Sequence, residues 1–216
     1  MRRVISRALL AIALGASASV AAQAATPASE SDRAVMADYL IDMMPLHTIF
    51  AQLMKSNDGE LKGQLDDAQL ECFQQQVSRP ALLARKRREV DAFAEQDPAN
   101  FAASLTLLRD GAGETVKRLG QASVGAALQH DGETDADQAI AQAAASTFDV
   151  SKMEPDQLIA FMSFAYGSPY RRLRELSGYG EFTDAGSEAA SPVETMLDAM
   201  AIEIAGTCGI PAEFFE

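Results

Sequence analysis

Five times in this chain a capping or acidic residue stands just before a proline: Ser78-Arg79-Pro80, Asp97-Pro98, Glu154-Pro155, Ser168-Pro169 and Ser191-Pro192. Proline has no N–H and holds φ near −65°, so a helix accepts it in the first turn, where that N–H would lack a partner anyway. Each of these sites therefore reads as a helix start. No run of alternating β-branched and aromatic residues occurs, and no Asn-Gly or Asp-Gly turn joins two such runs. The pattern predicts an all-α fold, a compact bundle of about seven or eight helices.

Apolar spacing fills in the helices between the starts. Met36, Leu40, Met43, Phe50 and Met54 recur three, four and seven positions apart, on a helix capped by Ser31 or Asp32 and either kinked or divided at Pro45. After the polar turn Ser56 to Gly59, a helix from Asp66 or Asp67 presents Leu70, Phe73 and Val77. Leu82, Leu83, Val90 and Phe93 follow, then Phe101, Leu105, Leu108, Ala112 and Leu119, with a break or close packing expected where Gly111 and Gly113 interrupt the run. Leu158 to Tyr166 is apolar nearly all round, which predicts a central helix. Gly178 stops the short helix through Leu173 and Leu176, and Gly206 is expected to stop the last stripe, Val193, Met196, Leu197, Met200 and Ile204.

The first residues read as an address. Arg2, Arg3 and Arg7 precede the apolar run Ala8 to Leu14, and Ala22-Gln23-Ala24 offers small residues to a signal peptidase. Residues 1–24 are thus expected to be a cleaved signal peptide and 25–216 a single helical domain, with halves 32–130 and 135–216 meeting at the polar stretch His130 to Asp137. Sec-type export is favoured over the twin-arginine route, because no Ser or Thr precedes Arg2-Arg3 and Ser6 takes an apolar position. The chain carries 18 Lys plus Arg against 31 Asp plus Glu, a net charge of −13 that becomes −16 when the three leader arginines leave. Such acidity disfavours nucleic acid and anionic membranes as partners, and no membrane span follows the leader.

Two cysteines, Cys72 and Cys208, would meet an oxidising compartment after export, and one disulfide between them is the natural expectation. Their separation of 136 positions rules out a CxxC redox site.

The stretch Met153-Glu154-Pro155 to Phe161, continued by Ala165-Tyr166-Gly167-Ser168-Pro169, resembles the C-terminal signature of a bacterial exported all-helical domain family of unknown function, over about residues 138–180. Tyr166, Ser168 and Pro169 occupy matching positions of its aromatic and Ser-Pro helix-turn-helix. Tyr170 and Arg171 stand where that family has Gly. The resemblance implies a periplasmic helical domain and brings no reaction, ligand or catalytic residue with it.

Several residue groups invite a chemical reading. Met43, Met44 and His47 place two thioethers and an imidazole within one helical turn, a donor set suited to Cu(I); as the simpler alternative, Met fills core gaps. His130, Asp131, Glu133, Asp135 and Asp137 resemble a calcium loop, but Ala136 takes the position that needs Gly and Gln142 that of the bidentate Glu, which favours a solvated linker. Arg85, Lys86, Arg87 and Arg88 form one basic cluster and Arg171, Arg172 and Arg174 another, a candidate interaction patch for an acidic partner. The spacings Arg85 to Glu89, Arg87 to Asp91 and Arg171 to Glu175 also fit ordinary ion pairs along a helix. Glu203, at the edge of the last apolar stripe, is a lone candidate general acid or a solvent-facing carboxylate. No G-x-S-x-G, S-x-x-K or H-E-x-x-H motif occurs.

The expectation is a periplasmic interaction or small-ligand-binding module without catalysis and without cofactor, monomeric or weakly dimeric, partnered by an envelope protein or a small ligand. Copper handling through Met43, Met44 and His47 is the alternative.

Overall fold

The computed structural model describes residues 27–56, 58–129, 142–143, 145–147, 150–179 and 192–211. Among these residues there is no strand, and they form an all-α bundle. Its helices are α1 (Glu30–Met43), α2 (Leu46–Ser56), α3 (Asp58–Gln64), α4 (Asp67–Gln76), α5 (Arg79–Gln96), α6 (Pro98–Leu107), α7 (Gly113–Gln129), α8 (Pro155–Tyr166), α9 (Arg171–Leu176) and α10 (Pro192–Cys208). There are more of them than the seven or eight expected because short elements were not anticipated. Asp58–Gln64 forms a helix where a turn is predicted, and Pro45 divides its segment into α1 and α2. The expected leader 1–24, the stretch His130 to Asp137 with its candidate ligands, and the junction of the expected halves lie outside the described residues.

Side-chain caps explain where four of the described helices begin. Asp66 and Gln69 make a reciprocal capping box, with Gln69 N–H donating to Asp66 Oδ1 at 2.8 Å and Asp66 N–H to Gln69 Oε1 at 3.1 Å. Ser78 caps α5, and Asp97 caps α6 by accepting from Asn100 N–H at 3.0 Å. The cap of α1 is Ser29, not Ser31 or Asp32. Asp32 sits one turn in, where it accepts from the Ser29 hydroxyl and from Arg109; these bonds hold its carboxyl below the usual range. Gly111 breaks the sixth helix as anticipated: its φ of 115° lies in the left-handed region, inside a π-helical turn over Leu108–Ala112.

Packing divides into two apolar clusters. The first surrounds α1, whose Met36, Ala37, Leu40 and Met43 meet Val90 and Phe93 of α5, Phe101 and Leu105 of α6, Val116 of α7, Phe161 and Phe164 of α8, and Leu173 of α9. The second joins Ile41, Leu46, Leu70, Phe73 and Leu82 to Met200, Ile204 and Ile210. Each cluster therefore draws side chains from both sides of residues 130–135. Burial of a large apolar side chain such as Phe101, Phe164 or Leu173 contributes about 1.5–3 kcal/mol.

Two expectations are corrected here. The eighth helix is not central: Ala160, Phe161, Phe164 and Ala165 are buried, but Ile159, Met162 and Tyr166 are 63%, 46% and 57% exposed. The bundle meets this helix on one side only, so apolar composition all round does not bury it all round. The last helix does not stop at Gly206 but runs to Cys208, because Gly209, at φ 61°, takes the left-handed turn and lets Ile210 N–H reach Ala205 O at 3.0 Å.

Candidate functional site

A cleft of about 510 Å³ is bounded by α1, α5, α9 and α10. Its floor is apolar: Leu40, Ile41, Met44, Leu46, Leu82, Leu176, Met196 and Met200. Of these, only Ile41 and Leu46 are absent from the residues singled out in the sequence. Ile41, next to Leu40 on α1, borders the stripe that enters the main core and packs on the second cluster. The walls come from four stretches far apart in sequence, which periodicity cannot bring together.

Charged residues form the mouth. Arg85 and Lys86 line it from α5, Glu175 from α9 and Glu203 from α10. The two cations are the buried members, with side chains 12% and 10% exposed, whereas Glu89, Glu175 and Glu203 lie at 39–51%. Lys86 Nζ donates to Glu89 Oε2 at 2.7 Å and to Leu176 O at 2.8 Å. Arg85 donates through Nε to Glu203 at 3.2 Å and through its two Nη atoms to Gln76 O and Oε1, both at 2.9 Å. The expected pairing of Arg85 with Glu89 is therefore not the one formed: Lys86 takes Glu89, and Arg85 crosses to α10. Arg87 does approach Asp91, at 3.6 Å, and also pairs with Glu30. Arg171 meets Glu175 at 3.0 Å, joined by Arg172 at 3.2 Å.

Of the two basic clusters, the first lines the cleft through Arg85 and Lys86, and the second reaches it only through the ion pairs of Arg171 and Arg172 with Glu175. Arg174 is 3% exposed and donates to Phe164 O and Gly167 O at 2.6 and 2.9 Å. There it satisfies carbonyls at the C-terminal end of α8, a structural task. Arg87 lies against α1. Glu203 is half-exposed and ion-paired with Arg85 and, at 3.9 Å, with Arg88. Ser177 also lines the cleft; its hydroxyl donates to Leu173 O and Arg174 O.

One wall is fastened covalently. Cys72 on α4 and Cys208 at the end of α10 form a disulfide with Cα atoms 5.6 Å apart, as the sequence led us to expect. Beside it Gln69 Nε2 donates to Gly209 O at 2.6 Å. Together these anchor the C-terminal end of the helix that supplies Met196, Ala199, Met200 and Glu203 to the cleft.

Met43, Met44 and His47 are directed to different surroundings. Met43 is fully buried in the first cluster, and Met44 packs on the second. His47 lines a separate cavity of about 410 Å³ with Asp42, Thr48, Lys117 and Gln121. Its Nδ1 has no hydrogen-bond partner among the described residues. Burial, then the nearby Arg79 guanidinium, push its pKa below the ordinary value against the opposing pull of Asp42, so the imidazole is neutral at neutral pH.

No family model matches this chain, and neither does any curated protein or solved structure. What the geometry itself defines is a disulfide-bonded all-α domain with an apolar cleft under a charged mouth. Among the described residues, no helix is long and apolar enough to cross a membrane.

Proposed function

We propose that this protein is a small-ligand-binding module whose site is the cleft between α1, α5, α9 and α10. The carrying observation is its lining: an apolar floor beneath a few polar groups, at a volume within the roughly 300–1,000 Å³ usual for small-molecule sites. The ligand is amphipathic, with its apolar part on Met44, Leu82 and Met200 and its polar end at the mouth. The leader-like residues 1–24 and the Cys72–Cys208 bond support a place of action in the periplasm, after Sec-type export.

The test fills the cleft without touching the core. Ala199 lines the cleft but is solvent-exposed, so Ala199→Trp adds a large side chain where the fold tolerates it. Titration with Nile red, a neutral apolar dye, should show one saturable site in the parent and at least a roughly tenfold weaker one in the variant, the order expected when contact with an apolar floor is lost. Equal dye binding by both proteins, with unchanged circular dichroism, would refute the assignment.

A further inference from the structure

The charge arrangement at the mouth specifies the polar end of the ligand, an inference that rests on the cleft reading above. The cleft is lined by three carboxylates, Glu89, Glu175 and Glu203, and two cations, Arg85 and Lys86; Arg88, Arg171 and Arg172 stand outside the lining, paired with Glu203 and Glu175. With that outer ring counted, this ion-paired network among the described residues holds five positive charges against three negative, on a chain whose net charge is −13. The depth of the charges matters as much as their number. The carboxylates lie toward water, where their fields are screened, and the two cations that line the cleft are nearly buried, where theirs act at lower effective dielectric.

The inner cations also retain unused donors. An ammonium carries three N–H groups and a guanidinium five. Lys86 uses two of its three, on Glu89 and Leu176, and Arg85 three of its five, on Glu203 and Gln76. Among the described residues, the remaining one on Lys86 and two on Arg85 have no protein acceptor. A carboxylate offers two oxygens and no donor, which complements those three N–H groups. A cationic head would meet Arg85 and Lys86 as like charges, and a hydroxyl head would leave the excess positive charge uncompensated. We infer that the cleft binds a long-chain carboxylate, with the chain on the apolar floor and the carboxylate held by Lys86 and Arg85.

The experiment uses the full disulfide-bonded protein and three ligands with the same chain, each kept below its micelle-forming concentration: dodecanoate, dodecanol and dodecyltrimethylammonium. Isothermal titration should rank dodecanoate first, roughly tenfold or more tighter than dodecanol, the order of one charge-assisted hydrogen bond in a desolvated site. The ammonium should bind most weakly. In Lys86→Met the dodecanoate affinity should fall to the dodecanol value while dodecanol binding persists. The ranking in the parent protein needs no variant, so it decides the question even if Lys86→Met folds poorly. Equal affinities for dodecanoate and dodecanol, or preference for the ammonium, overturn the carboxylate assignment and leave the cleft as an apolar site. Failure of all three to bind overturns the cleft reading itself.

Discussion

Replacing Gly120 by Ala tests how closely α1 and α7 are pressed together, and Gly125→Ala on the same helix supplies the control. A Cβ added at Gly120 would lie 3.0 Å from Tyr179 Oη and 3.2 Å from the carbonyl carbon of Met43, and nearer still to the oxygen of that carbonyl. The obstacle is backbone, at the end of a helix buried on Met36, Leu40 and Met43, so no side-chain rotation relieves it. Accommodation means moving α1 away from α7, an overpacking cost of about 3 kcal/mol, at the upper end of the usual range. Loss of the bond from Tyr179 Oη to Met43 O, now 3.1 Å, costs about 1 kcal/mol more. The helix preference of Ala returns about 1 kcal/mol, leaving a net loss near 3 kcal/mol. Gly125 has nothing within 4 Å of its added Cβ, so there the same substitution gains about 0.5–1 kcal/mol. The two variants should differ by about 4 kcal/mol, or roughly 8–16 °C in Tm for a chain of this size. Urea denaturation followed by circular dichroism, with the disulfide intact, measures both. A midpoint for Gly120→Ala equal to or above the parent's would show that the close approach does not constrain the fold.

Two other consequences concern stability. The paired substitution Cys72→Ser with Cys208→Ser releases a loop closed across 136 positions, for which chain entropy gives about 5 kcal/mol and measured disulfides about 2–4 kcal/mol; an unchanged urea midpoint would contradict it. Burial pushes the Tyr179 phenol up to about 12 from 10.0, so between those pH values the unfolded chain has released a proton that the folded chain keeps. Stability from this group is complete below pH 10 and declines by roughly 3 kcal/mol as pH rises toward 12, a slope that Tyr179→Phe should remove; alkaline denaturation curves that superimpose for parent and variant would refute this.

Local chemistry was readable where one short stretch decides the outcome. Asp66, Ser78 and Asp97 cap the helices their sequence positions suggest, and Gly111 and Gly178 interrupt or end theirs, because each effect spans only a few residues. The disulfide was readable from compartment logic. Ser29 was missed as a cap because Ser31 and Asp32 offer the same chemistry two and three positions later, whereas the bonds Asp32 makes with Ser29 and Arg109 hold it at an inner position. Arg85 was assigned to Glu89 because the spacing between them is right, whereas the fold gives Glu89 to Lys86 and brings Glu203 across from a helix 118 positions away. The cleft was illegible for the same reason: its floor joins Ile41, Leu82, Leu176 and Met200, neighbours only after four helices have packed. What the sequence did show was two basic clusters in an acidic chain, without showing that Arg85 and Lys86 of the first line an opening.

The bond between Cys72 and Cys208 also bears on survival where proteases are met. A single cut of the chain anywhere between those residues releases no fragment, because the pieces stay tethered through sulfur. The helix bearing Met200 and Glu203 would then remain attached at its far end to the body that holds Arg85 and Lys86. A nicked molecule of this kind runs as one species on a non-reducing gel and as two once reduced, and it keeps both sides of its opening on one covalent body.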